Sequence, residues 1–456
     1  MATTSLVPYV SEDNNQRLAP LADGAFFLPT NRDIDAYRNP DQDATATYVC
    51  GASLGPFPKR SKVRLDEELD IWQKQVVIGH FNHPLKRPWK RYTENVVPLM
   101  AEAVGAKEGE VALMGALTQN LHTMLDLFYR PTEGRYKILC EANAFPSDQY
   151  AMASKVRAAG LDPKTAIHQV YPRKGEYAVT EADIYEAIEQ EGDKIAVVLF
   201  AGIHYWTGQL FPIKEITAAA HKKGCIVGWD LAHAAGNVTL SLHDWGVDFA
   251  VWCNYKFLNA GPGSIGALFM HEKWNEEKTP RAAGWWGHKL ETRFQFLPEH
   301  DPIPGAQGLQ VSNTDILSSA AVLGALETLK EAGMMEPVRQ RSIQLTGLLQ
   351  TLVMKSKHYV PLAQASERKT PGFTIVTPLE ADRRGAQLSL LFLPTGQGIM
   401  QKIYYAMKSF GVIADERPPD LYRIVPNPLY NSSDDIVRVA ECLNASFKFV
   451  ETQAKL

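Results

Sequence analysis

Cysteine is scarce in this sequence, and its placement excludes a disulfide scaffold. The five residues, at positions 50, 140, 225, 253 and 442, are odd in number and widely scattered, and four sit inside apolar segments. Free, buried thiols in a reducing compartment follow, and no spacing among them suits a metal site. Long hydrophobic runs are missing as well: the longest, near Ile195–Ile203, is too short to cross a bilayer. The opening Met-Ala-Thr-Thr-Ser-Leu-Val-Pro lacks the charged and apolar regions of a secretory leader. Neither sign of charge is in much excess. The net charge is −4 with no basic cluster, so neither nucleic acid nor membrane is an expected partner. A soluble, cytoplasmic protein is the expectation. What the chain does have is size: 456 residues, 45% of them hydrophobic, enough for a large core and more than one domain.

Apolar runs of strand length alternate with helical periods from about residue 111 to 270. Strands are predicted at Tyr136–Glu141, Ala166–Tyr171, Ile195–Phe200, at the Cys225–Asp230 and Asp248–Lys256 runs, and at Gly266–Met270. Helices are predicted at Gln149–Ala159, Glu181–Glu191 and Ile213–Lys223 between them. This order predicts an α/β fold, a mostly parallel sheet with helices on its faces. Val63, Leu65, Leu69, Trp72 and Val76 recur at helical spacing between Ser61 and Ile78, and another helix is expected at Thr93–Ala103. Long helices at Thr314–Ala332 and Met335–Ser356 lead into a βαβ-like tail from about Glu336. The expected organisation is an N-terminal arm over 1–45, a large domain over 46–335 and a small C-terminal α/β domain over 336–456.

Two of the runs end in polar groups, Asp230 and Lys256. In an open α/β sheet ligands sit at the carboxyl ends of strands, which would aim both side chains into one crevice. A buried Lys facing a buried Asp suits pyridoxal phosphate, the amine taking the aldehyde and the carboxylate pairing with the ring nitrogen. A solvated loop or a structural ion pair is the alternative. Thr118 opens a helix after Val111–Leu117, where free backbone N–H groups could take a phosphate or where the Thr could simply cap. His80 and His83 are three apart, but without a helix or a carboxylate pair they make a poor metal site. A substrate-contacting loop is the better reading of that stretch.

These residues carry more than spacing. Gly228-Trp-Asp230-Leu-Ala-His233-Ala, His243-Asp-Trp-Gly and Tyr255-Lys256-Phe-Leu-Asn-Ala-Gly closely resemble the kynureninase family. So do Glu141-Ala-Asn-Ala-Phe145-Pro146-Ser147-Asp148, Gly79-His80 with Lys86-Arg-Pro-Trp89, Gly284-Trp285-Trp-Gly-His288 and Arg423-Ile-Val-Pro-Asn-Pro-Leu-Tyr430-Asn. The resemblance runs from about Tyr48 to Leu443. It implies the aspartate-aminotransferase fold (fold type I), pyridoxal 5'-phosphate as cofactor, a homodimer, and hydrolysis of the small molecules kynurenine and 3-hydroxykynurenine, in tryptophan catabolism and the route to NAD.

Carried across residue by residue, it implies that Lys256 holds the cofactor as a Schiff base, that Asp230 pairs with the pyridinium beside His233, and that Phe145 stacks on the ring. Leu117, Thr118, Pro146, Ser147, Asp148 and Tyr255 would serve the phosphate and its surroundings. Trp285 and Asn313 would reach the cofactor across the dimer, Asn313 also facing substrate. Ser53, His80 and His288 would line the substrate pocket, and Arg423 would hold the substrate carboxylate, for which its planar fork is suited. Tyr255 is either a proton donor or a phosphate ligand; Phe145 and Trp285 could be core, and the two histidines structural. Ala52 and Ala201 depart from the family, standing where Asn and a hydroxyl residue are usual. A related aminotransferase, a cysteine desulfurase and a non-catalytic scaffold are the rivals. A desulfurase needs a reactive thiol on a flexible loop, and the apolar surroundings of the cysteines argue against one.

Overall fold

A computed structural model of the chain describes residues 18–275 and 282–453, so the first 17 residues of the expected arm lie outside the described residues. The chain divides into two compact units. One comprises 54–205 and 209–335; the other gathers the segment before Leu54, residues 206–208 and the chain from Glu336.

Seven strands make the sheet of the larger unit: β1 (Val111–Leu113), β2 (Lys137–Glu141), β3 (Ile167–Val170), β4 (Ile195–Ala201), β5 (Ile226–Asp230), β6 (Phe249–Trp252) and β7 (Ala267–Met270). Their order is β1-β7-β6-β5-β4-β2-β3. Only β7 runs antiparallel to its neighbours. The mostly parallel sheet read from the alternation is therefore present. Its central strands are buried along nearly their whole length, which is why they read as unbroken apolar runs. Gly228 in β5 is required by packing: a Cβ there would lie 2.1 Å from the ring of Phe249 on β6.

Local chemistry sets where elements begin. The run from Val111 ends as strand at Leu113, because Gly115 turns the chain at a φ of 53° and the next helix, α2 (Leu117–Phe128), follows at once. Helix α3 (Pro146–Ala158) starts three residues earlier than its period suggested, with Pro146 in the first turn, where a fixed φ and a missing N–H cost nothing. Crossover helices α4 (Glu181–Glu191) and α5 (Ile213–Lys222) complete the layers. The helix expected over Thr93–Ala103 is a 3₁₀ segment, Trp89–Asn95, followed by Val97–Val104.

The helix anticipated from Ser61 forms as α1 (Lys59–Gln75), preceding the others in sequence, but its apolar positions do not face inward. Val63, Leu69, Trp72 and Val76 are exposed, while Ser61, Glu68 and Ile71 are buried. The reason is polar. Ser61 donates to the carbonyl of Ala321 at 2.7 Å, and Gly324 lets the two helix backbones touch, since a Cβ there would lie 2.4 Å from the Ser61 backbone. Glu68 accepts from Trp89 Nε1 (2.8 Å) and Arg87 Nη2 (2.9 Å) and pairs with His83 at 2.9 Å. His83 is thus a partner of a buried carboxylate.

In the smaller unit, β8 (Gly372–Ile375), β9 (Leu388–Leu393), β10 (Asp415–Arg417) and β11 (Leu421–Ile424) form a sheet in the order β8-β9-β11-β10. Every pairing in it is antiparallel, which corrects the βαβ-like reading. The strand following the helix Ile399–Ser409 is Val412–Ile413, and it pairs with Thr47–Tyr48 outside this sheet. The chain then returns through a three-residue turn, so β10 and β11 form a hairpin. Phe447 stacks on both Phe373 and Phe392 in the core of this unit.

Candidate active site

At the carboxyl end of β5, Asp230 is 6% exposed and accepts from the Ala232 N–H at 2.7 Å. Its carboxyl is hydrogen-bonded to that of Asp148, on the first turn of α3. Burial raises both carboxyls, Asp148 the further of the two, because it also feels the charges of Asp230 and Glu141. Asp230 has the Ala232 N–H and the Lys256 ammonium to favour its anion. Burial thus favours the neutral form more at Asp148 than at Asp230, whose neighbours favour its anion.

Lys256 follows β6 in a loop held from below. Gly55 donates its N–H to the Tyr255 carbonyl at 2.8 Å, and a Cβ on Gly55 would lie 2.4 Å from the Lys256 carbonyl oxygen and 2.2 Å from Asn259 Oδ1. Lys256 Nζ stands 5.9 Å from the Phe145 ring centre and 5.8 Å from that of Tyr255. Phe145 is half-exposed at the head of α3, its ring edge-on to Tyr205 at 5.0 Å. Burial raises the Tyr255 phenol well above its ordinary range, with the Cys253 thiol adding to the effect. Ser147 Oγ lies 3.3 Å from Asp148, and Pro146 precedes it. His233 is buried in the turn after Asp230, its ring edge-on to Phe257.

Leu117 and Thr118 are the first two residues of α2, half-buried. The residue capping this helix is Ala116, whose N–H is taken by Gln119 Oε1 at 2.9 Å. Thr118 is thus not a cap. The start of α2 packs at Gly266, where a Cβ would meet Ala116 at 3.2 Å and the Trp252 carbonyl at 3.0 Å. That contact places the helix N-terminus beside the carboxyl end of β6. Backbone N–H groups there suit an anion.

Other expected residues make their contacts elsewhere. Trp285 is half-exposed and donates its indole N–H to the Arg293 carbonyl at 2.9 Å; Asn313 is exposed. His288 accepts the Asp301 N–H on Nδ1 at 3.2 Å, so Nε2 carries the proton and donates to Thr292 at 2.9 Å. His80 lies edge-on to Trp89 at 5.2 Å. In the smaller unit, Arg423 is fully buried on β11, paired with Asp415, and donates from Nη2 to Ser53 Oγ at 3.0 Å.

Three neighbours of these groups received no role from the sequence. Glu141 ends β2 and accepts the Ala201 N–H on both oxygens, at 3.2 and 3.3 Å. Burial pushes its pKa up to about 7. His204 is buried, and burial lowers its pKa to about 4. Asp415 is the third. Glu141 and His204 stand at strand ends, the signal that singled out Asp230. Asp415 lies two residues before Arg417 on a strand.

A family model described as the kynureninase C-terminal domain matches residues 338–443, and one for class-V aminotransferases matches 164–378. Kynureninase of Yarrowia lipolytica is 46% identical over 418 residues, covering 89% of this chain and 95% of its own. The rat enzyme is 45% identical over 436 residues, 95% of this chain and 91% of its own. The chain belongs to the kynureninase family. Among solved structures, a cysteine desulfurase from Thermococcus onnurineus superposes with a TM-score of 0.70 at 14% identity, over 88% of this chain and 94% of that one. That likeness shows the shared fold.

As a kynureninase-family enzyme the chain uses pyridoxal phosphate, and the residues present fit it. Asp230, with Asp148 behind it, offers a buried carboxyl to a protonated ring nitrogen, an amine stands near by at Lys256, and Phe145 offers a half-open aromatic face. Burial raises the thiol of each of the five cysteines, which disfavours the thiolate a desulfurase needs.

Proposed function

We propose that this protein hydrolyses L-kynurenine to anthranilate and L-alanine, and 3-hydroxy-L-kynurenine to 3-hydroxyanthranilate and L-alanine, within tryptophan catabolism and the supply of NAD. The observation that carries the reading is the Asp148–Asp230 acid pair set beside Lys256 in a chain of this family. Pyridoxal phosphate, when bound, supplies an electron sink for the substrate's α-carbon.

The chain's own groups do the rest. Asp230, whose neighbours favour its anion, holds the proton on the ring nitrogen. Lys256 anchors the cofactor and moves protons at the substrate α-carbon. Phe145 covers the ring, and His233 sits beside Asp230. Leu117, Thr118, Pro146 and Ser147 bound the phosphate end, while Asp148, expected there as well, backs Asp230 at the ring nitrogen. Tyr255, its phenol kept protonated by burial, donates a proton where the γ-carbonyl takes up water, or orients the phosphate. Arg423, with Ser53, receives the substrate carboxylate. His80, His288, Trp285 and Asn313 are assigned to the substrate pocket and the cofactor's far side. We assign the cofactor to the larger unit and a soluble, cytoplasmic setting to the whole.

A homodimer completes this proposal. Leu69, Trp72, Val76, Val77, Ile78 and Phe81 are exposed together around the end of the Lys59–Gln75 helix. An apolar stripe of that kind is a docking face, and the occupant that fits the family is a second copy. Among the described residues no helix is long and apolar enough to cross a membrane.

The test is direct. Purified protein with added pyridoxal phosphate should release anthranilate from kynurenine, read by its fluorescence, without transaminating or producing sulfide. Transamination with no anthranilate would overturn the proposal. The same assay with 3-hydroxykynurenine ranks the two substrates.

A further inference from the structure

A cavity of about 220 Å³ opens in the larger unit, with Phe128, Trp274, Ile226, Ala196 and Arg135 in its wall. Ile226 begins β5 and Ala196 is the second residue of β4, so the cavity lies at the amino edge of the sheet. Asp230 ends β5, four residues and about 13 Å away along the strand. The hollow is thus separate from the candidate active site. Two aromatic rings make a fixed corner in it. Phe128, at the end of α2, stacks on Phe249 at 5.2 Å and meets Trp274 edge-on at 5.2 Å. Trp274 is tied in turn through its indole N–H to Asp248 at 3.0 Å. Arg135 is fixed by the main chain. Its Nη1 donates to the carbonyls of Ile195 (2.7 Å) and Gly192 (3.0 Å), and its Nη2 to that of Lys223 (2.8 Å). Among the described residues its hydrogen bonds go to these carbonyls and the Cys225 sulfur, and none to a carboxylate. Among them, too, no acidic residue lines the cavity, and Arg130 lines it as a further basic one.

We propose that this cavity binds a small aromatic carboxylate, its ring against the Phe128–Trp274 corner and its carboxylate on Arg135. The inference stands apart from the hydrolytic reading. Carbonyl oxygens orient a guanidinium without neutralising it, so Arg135 keeps its positive charge for an anion from outside. The guanidinium is already held in place, so a ligand loses little in ordering it. Apolar walls with a few placed polar groups are the make-up of a small-molecule site. Size selects the class. An apolar hollow of about 150 Å³ accepts benzene, and drug-sized ligands need about 300 Å³ or more. The space here suits one ring bearing one carboxylate. An aliphatic acid would leave the aromatic corner unfilled, and a neutral ring would leave Arg135 unmatched.

Isothermal titration of the holoenzyme with benzoate tests this, with benzamide as the neutral counterpart. Benzoate should bind with a Kd of about 1 mM, and benzamide at least about tenfold more weakly. Equal binding of the two, or no binding of either, would overturn the proposal. Ala196→Leu fills the cavity. It should weaken benzoate at least about tenfold and leave the absorbance of the bound cofactor unchanged. Benzoate held at wild-type strength by this variant would place the ligand elsewhere and overturn the proposal. Trp274→Phe keeps an aromatic wall and serves if Ala196→Leu does not fold. It should retain benzoate affinity within about threefold and lose most of the tryptophan fluorescence change that benzoate causes in the wild type. Persistence of that change in Trp274→Phe would overturn the proposal as well.

Discussion

Glu141→Gln is the sharpest probe of the acid cluster. Glu141 is 1% exposed, and burial lifts its pKa from 4.5 to about 7. Each tenfold displacement of a proton equilibrium is worth about 1.4 kcal/mol, so ionising this group in the folded protein costs roughly 3 kcal/mol. The sign follows from where the proton is held more tightly. The folded state keeps it and the unfolded state releases it, so stability is full below about pH 4.5 and is lost as the pH rises towards 7. By this linkage about 2.5 kcal/mol of the loss falls between pH 5 and pH 8. Glutamine has the same shape and keeps an oxygen for the Ala201 N–H, but cannot ionise. In urea unfolding of cofactor-free protein, the wild-type advantage over the variant should shrink by about that amount across those pH values. Parallel stability curves would refute the assignment of a buried, proton-holding carboxyl. A steeper decline in the variant would reverse its sign.

Other expectations follow from single contacts. Gly55→Ala should push the Lys256 loop by its contact with the Lys256 carbonyl, and cofactor affinity, read by absorbance titration, should fall at least tenfold. His204 is held neutral by burial, so wild type should lose roughly 3 kcal/mol as the pH falls from 6.5 to about 4, and His204→Gln should lose less, by denaturant unfolding. Gly228→Ala, meeting the Phe249 ring, should destabilise by about 2–3 kcal/mol or prevent folding, by thermal unfolding. Trp72→Glu on the exposed stripe should cost a dimer about 2 kcal/mol, a roughly 30-fold weaker Kd by sedimentation; an unchanged Kd places the interface elsewhere.

The sequence by itself determined the α/β order, because strands buried on both faces must read as continuous apolar runs. It also placed Asp230 at the end of a strand and Lys256 just beyond the next, because polar groups follow where such apolar runs stop. Three things were decided only by tertiary contact. The Lys59–Gln75 helix turns its apolar stripe outward, since Ser61, Gly324 and the Glu68 network fix the opposite face against the helix Ile316–Glu331. Asp148 becomes the partner of Asp230 only when α3 brings it to the end of β5, a distance in sequence that no local pattern spans. The tail sheet is antiparallel because the strand after its helix pairs with Thr47–Tyr48 from the other end of the chain, and that pairing turns β10 and β11 into the hairpin that sets Asp415 against Arg423. Periodicity records which side of an element is apolar; what that side faces depends on partners hundreds of residues away.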